Sequence, residues 1–125
     1  MIHFDSNALI ALPFLAKDGH PVIARVAAGE EAGVSAVAWY EFLIGPVDDE
    51  KVSLARAFVR GNILGIDDRT AWVAASRYNQ AGRRRTLKTD ALIAAVAIRA
   101  NAALLTLSTD DFRPFVPFGL ELAQD

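Results

Sequence analysis

The chain alternates short apolar runs with helix-length segments, and no other feature limits its fold so tightly. Ile2 to Phe4 is apolar and ends at Asp5-Ser6-Asn7, residues favoured at helix N-caps. Ala8 to Lys17 reads as helix, which Pro13 should kink or shorten. Asp18 to Pro21 is a turn, and Pro21 is placed to begin a second helix ending near Gly29. Gly33 precedes Val34 to Val37, a candidate buried strand, and a helix follows from about Ala38 to Gly45-Pro46. Asp48 to Arg60 has helical spacing with Gly61 as its stop, and Asn62 to Ile66 is a third strand candidate. Asp67 or Asp68 can cap a helix running to about Ala81. After a loop at Arg83-Arg84-Arg85, Thr86 to Ala100 is the most apolar helix of the chain. Ala103 to Leu107 reads as a fourth strand, Thr109 to Phe112 as a turn of helix, and Phe118 to Ala123 as a final edge strand.

Short apolar strands alternating with helices predict an α/β fold: a three-layer α/β/α sandwich around a mostly parallel sheet of four to five strands. There is no internal repeat and no linker, so residues 1–125 read as one domain. The absence of cysteine removes disulfides, thiolate metal sites and cysteine nucleophiles, and two histidines are too few for a histidine-rich metal site. The opening Met-Ile-His-Phe-Asp does not resemble a signal peptide, and no apolar stretch is long enough for a membrane span. A cytoplasmic protein without a membrane partner is the expectation. A net charge of −2 argues against a protein that coats nucleic acid, but an acid-rich site would itself make a chain look acidic.

Three acids sit in unusual company. Asp5 ends an apolar strand, and Glu41 lies within the otherwise apolar Ala36 to Ile44. Asp90 opens Ala91 to Ile98, a helix apolar on nearly every side. A lone buried carboxylate is costly, so such groups are paired, hydrogen-bonded, neutralised or bound to metal. Val37 and Gly45 share the helical face of Glu41, and Thr86, Ala94 and Ala97 share that of Asp90, so small residues would permit the acids to converge. Each acid also has a plainer account. Asp5 could be only an N-cap, Asp90 could complement its helix dipole, and Glu41 could be paired with an arginine. Together they favour a shared site. Crowded carboxylates repel and stay ionised only beside a cation, and a hard ion such as Mg²⁺ or Mn²⁺ suits oxygen ligands. Such an ion can activate water for phosphodiester hydrolysis.

Four segments in order carry a resemblance. They are Asp5-Ser6-Asn7 after the first strand, and Val34-Ser35-Ala36 leading to Glu41 and Gly45. Thr89-Asp90-Ala91-Leu92-Ile93-Ala94-Ala95 follows, and then Leu104-Leu105-Thr106 with Ser108-Thr109-Asp110-Asp111-Phe112. This set resembles PIN-domain proteins, particularly the VapC-type toxins of toxin–antitoxin pairs, over essentially the whole chain. The resemblance implies a metal-dependent endoribonuclease held in check by a cognate antitoxin, and a homodimer. It matches Asp5, Glu41 and Asp90 to the first three acids of the family. The fourth position, often Asp or Asn, is Ser108 here, so Asp110 or Asp111 would have to supply that carboxylate. Asp111 before Phe112 resembles the family's usual Asp-Phe pair. Thr106 and Ser108 could hydrogen-bond the acids or their waters, or be ordinary strand-end hydroxyls. Asn7 could reach the site or merely cap.

Arg83, Arg84, Arg85 and Lys88 form the compact basic cluster, just before the Asp90 helix. They could hold RNA phosphates, or be a solvated loop, or pair with Glu41 or Asp90. The Val22 to Ala28 helix and Trp39-Tyr40-Phe42 could face an antitoxin helix or a second copy, or be plain core. Two rival functions stand beside the ribonuclease. One is a binding module of the same fold, acting through its antitoxin complex at DNA. The other is a Mg²⁺ phosphatase or phosphoacceptor, which would need a lysine after a late strand; the strand ending at Thr106 has none.

Overall fold

Strand β1 (Ile2–Phe4) is buried at all three positions, as a strand covered on both faces must be. The computed structural model describes residues 1–123, and its sheet contains β2 (Ala32–Ser35), β3 (Ile63–Leu64), β4 (Ala103–Leu105) and β5 (Glu121–Leu122) as well. Every pairing is parallel, in the order β3-β2-β1-β4-β5, so the mostly parallel expectation resolves into a wholly parallel sheet. Between the strands run α1 (Ser6–Ile10), α2 (Leu12–Lys17), α3 (Pro21–Ala27), α4 (Ala36–Leu43) and α5 (Asp49–Phe58). After β3 come α6 (Asp68–Gln80) and α7 (Lys88–Arg99), then α8 (Thr109–Phe112) after β4. Short 3₁₀ turns at Arg85–Leu87 and Arg113–Phe118 complete the order. No helix is long and apolar enough to cross a membrane among the described residues.

Local chemistry fixes the boundaries that periodicity leaves loose. The helix expected over 8–17 divides at Ala11, and Pro13 falls in the first turn of α2, where its missing N–H costs nothing. The second strand ends at Ser35 rather than Val37. The buried Ser35 hydroxyl accepts the Ala38 N–H at 3.0 Å and starts α4 two residues earlier than apolar character suggests. Gly33 stands in a tight place: a methyl there would lie 3.0 Å from Asn62 Nδ2 and 3.1 Å from His3 Nε2, so those side chains would have to give way.

The core is continuous across the sheet. Phe4 meets Phe58 edge to face at 5.8 Å, joining β1 to α5. On α7, Ala91, Ala94, Ala95 and Ala97 are buried, so this helix lies close against its neighbours, including α6. Val22, Ile23, Val26, Trp39 and Phe42 belong to this core, so their plain reading holds and they offer no free surface. Of the large apolar and aromatic residues in those two segments only Tyr40 is exposed, at 62%; other exposed large apolar side chains include Phe14, Leu43, Ile44, Leu54 and Trp72.

Candidate active site

Strand order determines where a site can form. From β1 the chain steps to β2 and β3 on one side, then returns to β4 and β5 on the other. The order of connection therefore reverses between β1 and β4, and in open parallel sheets the carboxyl ends of the strands at such a switch point are where ligands bind. Asp5 is the first residue after β1 and Thr106 the first after β4. The Asp5 N–H donates to Leu105 O at 2.9 Å, so the two strand ends are stitched beside each other.

The Asp5 carboxylate is buried and used at both oxygens. Oδ1 accepts the Ser6 N–H at 2.8 Å at the start of α1, and Oδ2 accepts the Thr106 hydroxyl at 2.8 Å. The capping account and the site account are thus both true of Asp5. Thr106 Oγ1 itself accepts the Ser108 N–H at 3.0 Å, which leaves its own hydrogen for Asp5. Asn7 spans from α1 to the same loop: its Oδ1 accepts the Leu107 N–H at 3.1 Å and its Nδ2 donates to Ser108 Oγ at 3.0 Å. Asn7 is therefore a strap between two strand ends.

Three further carboxylates come from separate elements: Glu41 on α4, Asp90 in the first turn of α7, and Asp111 on α8. Burial raises the Asp5 carboxyl above its ordinary range, the Thr106 and Ser6 hydrogen bonds oppose that, and the Asp111 charge adds to it. Glu41 is raised by burial and then by Asp5. Asp90 is pushed up to about 6, by burial first and then by the charges of Asp5, Asp111 and Glu41. Among the described residues no cationic side chain bonds any of the four; the ion pairs lie at Glu30, Asp67 and Asp110. Asp110 turns outward to Arg113 at 3.1 Å, whereas Asp111 is the α8 acid whose charge Asp5 and Asp90 feel.

A hard divalent ion fits this donor set in charge and in chemistry, since only carboxylate and hydroxyl oxygens are offered. It does not yet fit in spacing. Among the described residues no three acidic or histidine side chains stand close enough to grip one ion. Electrostatic coupling reaches farther than ligation, so four acids can repel one another across a gap that an ion would have to draw closed.

His3 was not singled out by sequence, yet alternation along β1 puts it on the same face as Asp5. Its imidazole is fully buried, its Nε2 has no partner, and burial followed by the N-terminal ammonium lowers it to about 4. The available signal was a histidine two residues before an acid in an all-buried strand.

The basic residues divide. Arg83 holds a left-handed φ of 61°, its guanidinium bonds Asn79 Oδ1, and it stacks over Tyr78, whose hydroxyl donates to Arg83 O at 2.9 Å. Arg84, Arg85 and Lys88 are exposed, and their side chains have no partner among the described residues. None of them pairs with Glu41 or Asp90.

A wholly parallel sheet with acids gathered at its reversal point defines a class of α/β proteins, and comparison with known families identifies it. The PIN domain profile matches residues 2–114, so the chain belongs to the PIN-domain family. Solved structures agree in fold. FitAcB from Neisseria gonorrhoeae is 20% identical with a TM-score of 0.70, over 99% of this chain and 97% of that one. VapBC2 from Rickettsia felis, bound to a DNA fragment from its promoter, is 18% identical with a TM-score of 0.69, over 100% of both chains. A toxin–antitoxin complex from Klebsiella pneumoniae is 24% identical with a TM-score of 0.66, over 90% of each. No curated protein sequence matches the chain.

Proposed function

We propose that this chain is a Mg²⁺- or Mn²⁺-dependent endoribonuclease, the toxin of a type II toxin–antitoxin pair. One observation supports the reading: Asp5 at the switch point of the sheet and Glu41, Asp90 and Asp111 from three other elements feel one another's charge, and among the described residues none is bonded to a protein cation. Uncompensated acids of this kind await a cation. Asp5, Glu41 and Asp90 would hold the ion, with Asp111 at the mouth as the fourth acid in preference to the outward Asp110. When bound, the ion would activate water and neutralise charge developing on the phosphate. Thr106 orients Asp5, and Ser108 orients Thr106 through its N–H. Asn7 keeps the β1 and β4 ends in register. These contacts fix ligand position before substrate arrives.

The antitoxin would use the exposed apolar residues on the elements that meet around Leu9, Leu12, Phe42 and Val47. There Phe14 is 70% exposed and Ile44 67% exposed, with Leu43 and Leu54 beside them in the sequence elements involved. An amphipathic helix is the partner such a surface takes. A homodimer belongs to the same reading.

Two of the similar structures are bound to DNA, which favours a second reading: a PIN-fold module that acts through an antitoxin complex at DNA with little nuclease activity. Cleavage decides between them. Purified chain should cut RNA with Mg²⁺ and not with EDTA. Asp5→Asn and Asp90→Asn should each lose at least about 100-fold, the scale on which one charge-stabilising group acts. Undiminished cleavage by either folded variant would sink the mechanism, and no cleavage by the wild type would favour the second reading.

A further inference from the structure

Outside the carboxylates, one aromatic residue is out of keeping with its position. Trp72 lies on α6 with 73% of its surface exposed, while the other tryptophan, Trp39, is 7% exposed. An indole left in water forgoes the largest apolar burial available to any side chain. Its neighbours at helical spacing include Asp68, Arg69, Ala75 and Ser76, so the surroundings are polar or small. Self-association through Trp72 would call for further large exposed apolar residues beside it, as on α2 and α4, whereas the exposed apolar neighbours on α6 are the small Ala71 and Ala75. A flat ring among polar groups is suited to stacking.

The surface beside it leads somewhere. Asp68, Ala71, Trp72 and Ala75 line an open hollow of about 260 Å³. Ala75 also lines a second hollow of about 230 Å³, with Ala74, Tyr78, Lys88 and Ala91. The two hollows share Ala75 and so lie side by side along α6, Trp72 and Tyr78 being about 9 Å apart by helix rise and roughly a third of a turn apart around the axis. At the Tyr78 end stand Lys88, Arg85 and Arg84, all exposed and unpartnered among the described residues, and Asp90 follows two residues after Lys88. Arg83 is spent on holding the loop.

We propose that these two hollows form the approach track for a single-stranded nucleic acid, with a base stacked on Trp72 and phosphates beyond it held by Lys88, Arg85 and Arg84. The inference rests on the nuclease reading above and adds to it the path and strandedness of the substrate. The order of charge fits: cations stand at the end nearer the acids, and Asp68 borders the end where a base rather than a phosphate would lie. Stacking tolerates any base but requires an unpaired one, so the track selects single strands more than sequence.

Trp72 is its own probe. In EDTA, a twelve-nucleotide oligouridylate should quench the exposed tryptophan emission on binding. Trp72→Ala should abolish the quench and weaken binding about 10-fold or more, while Trp72→Phe should keep most of the affinity. Replacing Arg84 and Arg85 together with Ala should reduce the salt slope of binding by about 1.4, the value for two phosphates on a single strand. The track is overturned if the oligonucleotide causes no quench, or if Trp72→Ala binds it as tightly as the wild type. It is equally overturned if sedimentation shows a dimer that Trp72→Ala dissociates. Cleavage in Mg²⁺ is read separately. Wild-type cleavage indifferent to Trp72 sinks the track and spares the nuclease, whereas Trp72-dependent quenching without cleavage supports the track and sinks the nuclease.

Discussion

Thr106 holds Asp5 by a single buried hydrogen bond. Thr106→Val should cost about 1 kcal/mol in urea unfolding and weaken Mg²⁺ binding about 10- to 100-fold in a calorimetric titration. Two titrations of opposite sign should also be visible in metal-free protein. Asp90 is raised from 3.8 to about 6, so its charged form burdens the fold and stability rises as pH falls through 6 toward 3.8. Asp90→Asn should melt higher than the wild type at pH 8 in EDTA, and the gap should close by pH 4. His3, neutral in the fold down to about 4, takes a proton from 6.5 downward when unfolded, so it removes stability as pH falls across that window. At roughly 1.4 kcal/mol per pH unit the loss reaches about 3 kcal/mol, and His3→Leu should not show it in denaturation curves at pH 7 and pH 4.5. How the acids stand out in sequence has a physical lesson. Glu41 looked the most anomalous because its neighbours are apolar, yet it is only half-buried, since Tyr40, Leu43 and Ile44 beside it are themselves exposed. An apolar run need not be a buried one.

Elements were legible where one signal dominated. α3 begins at the proline the sequence offers and α6 is capped by Asp67, one of the two aspartates expected. Boundaries failed where two signals competed: Ser35 is both a strand residue and a cap, and the cap prevailed. The parallel entry of β5 was not legible, because a two-residue strand carries no periodicity. The Asn7 strap and the split between Asp110 and Asp111 depend on contacts between residues about a hundred positions apart, which spacing along a helix cannot show. At this scale, Gly33→Ala should destabilise by about 1–3 kcal/mol, since the added methyl meets Asn62, His3 and Leu64 at once. Differential scanning calorimetry would register it as a lower melting temperature with cleavage per folded molecule retained.

For the molecule as a whole, an ion shared by several elements should act as a clasp. Saturating Mg²⁺ at about a hundred times its Kd should add about 2.7 kcal/mol of stability, read as a higher melting temperature, and Asp5→Asn should lose that gain. The strand order has one more consequence. Asp5 and the hydroxyl that orients it lie 101 residues apart, in strands that are immediate neighbours. During synthesis the first of these leaves the ribosome long before its mate has been translated. The centre therefore stays unbuilt for most of the time the chain is tethered to its own messenger. A chain that cuts RNA would in this way be harmless to the transcript that encodes it until the β4 end is made.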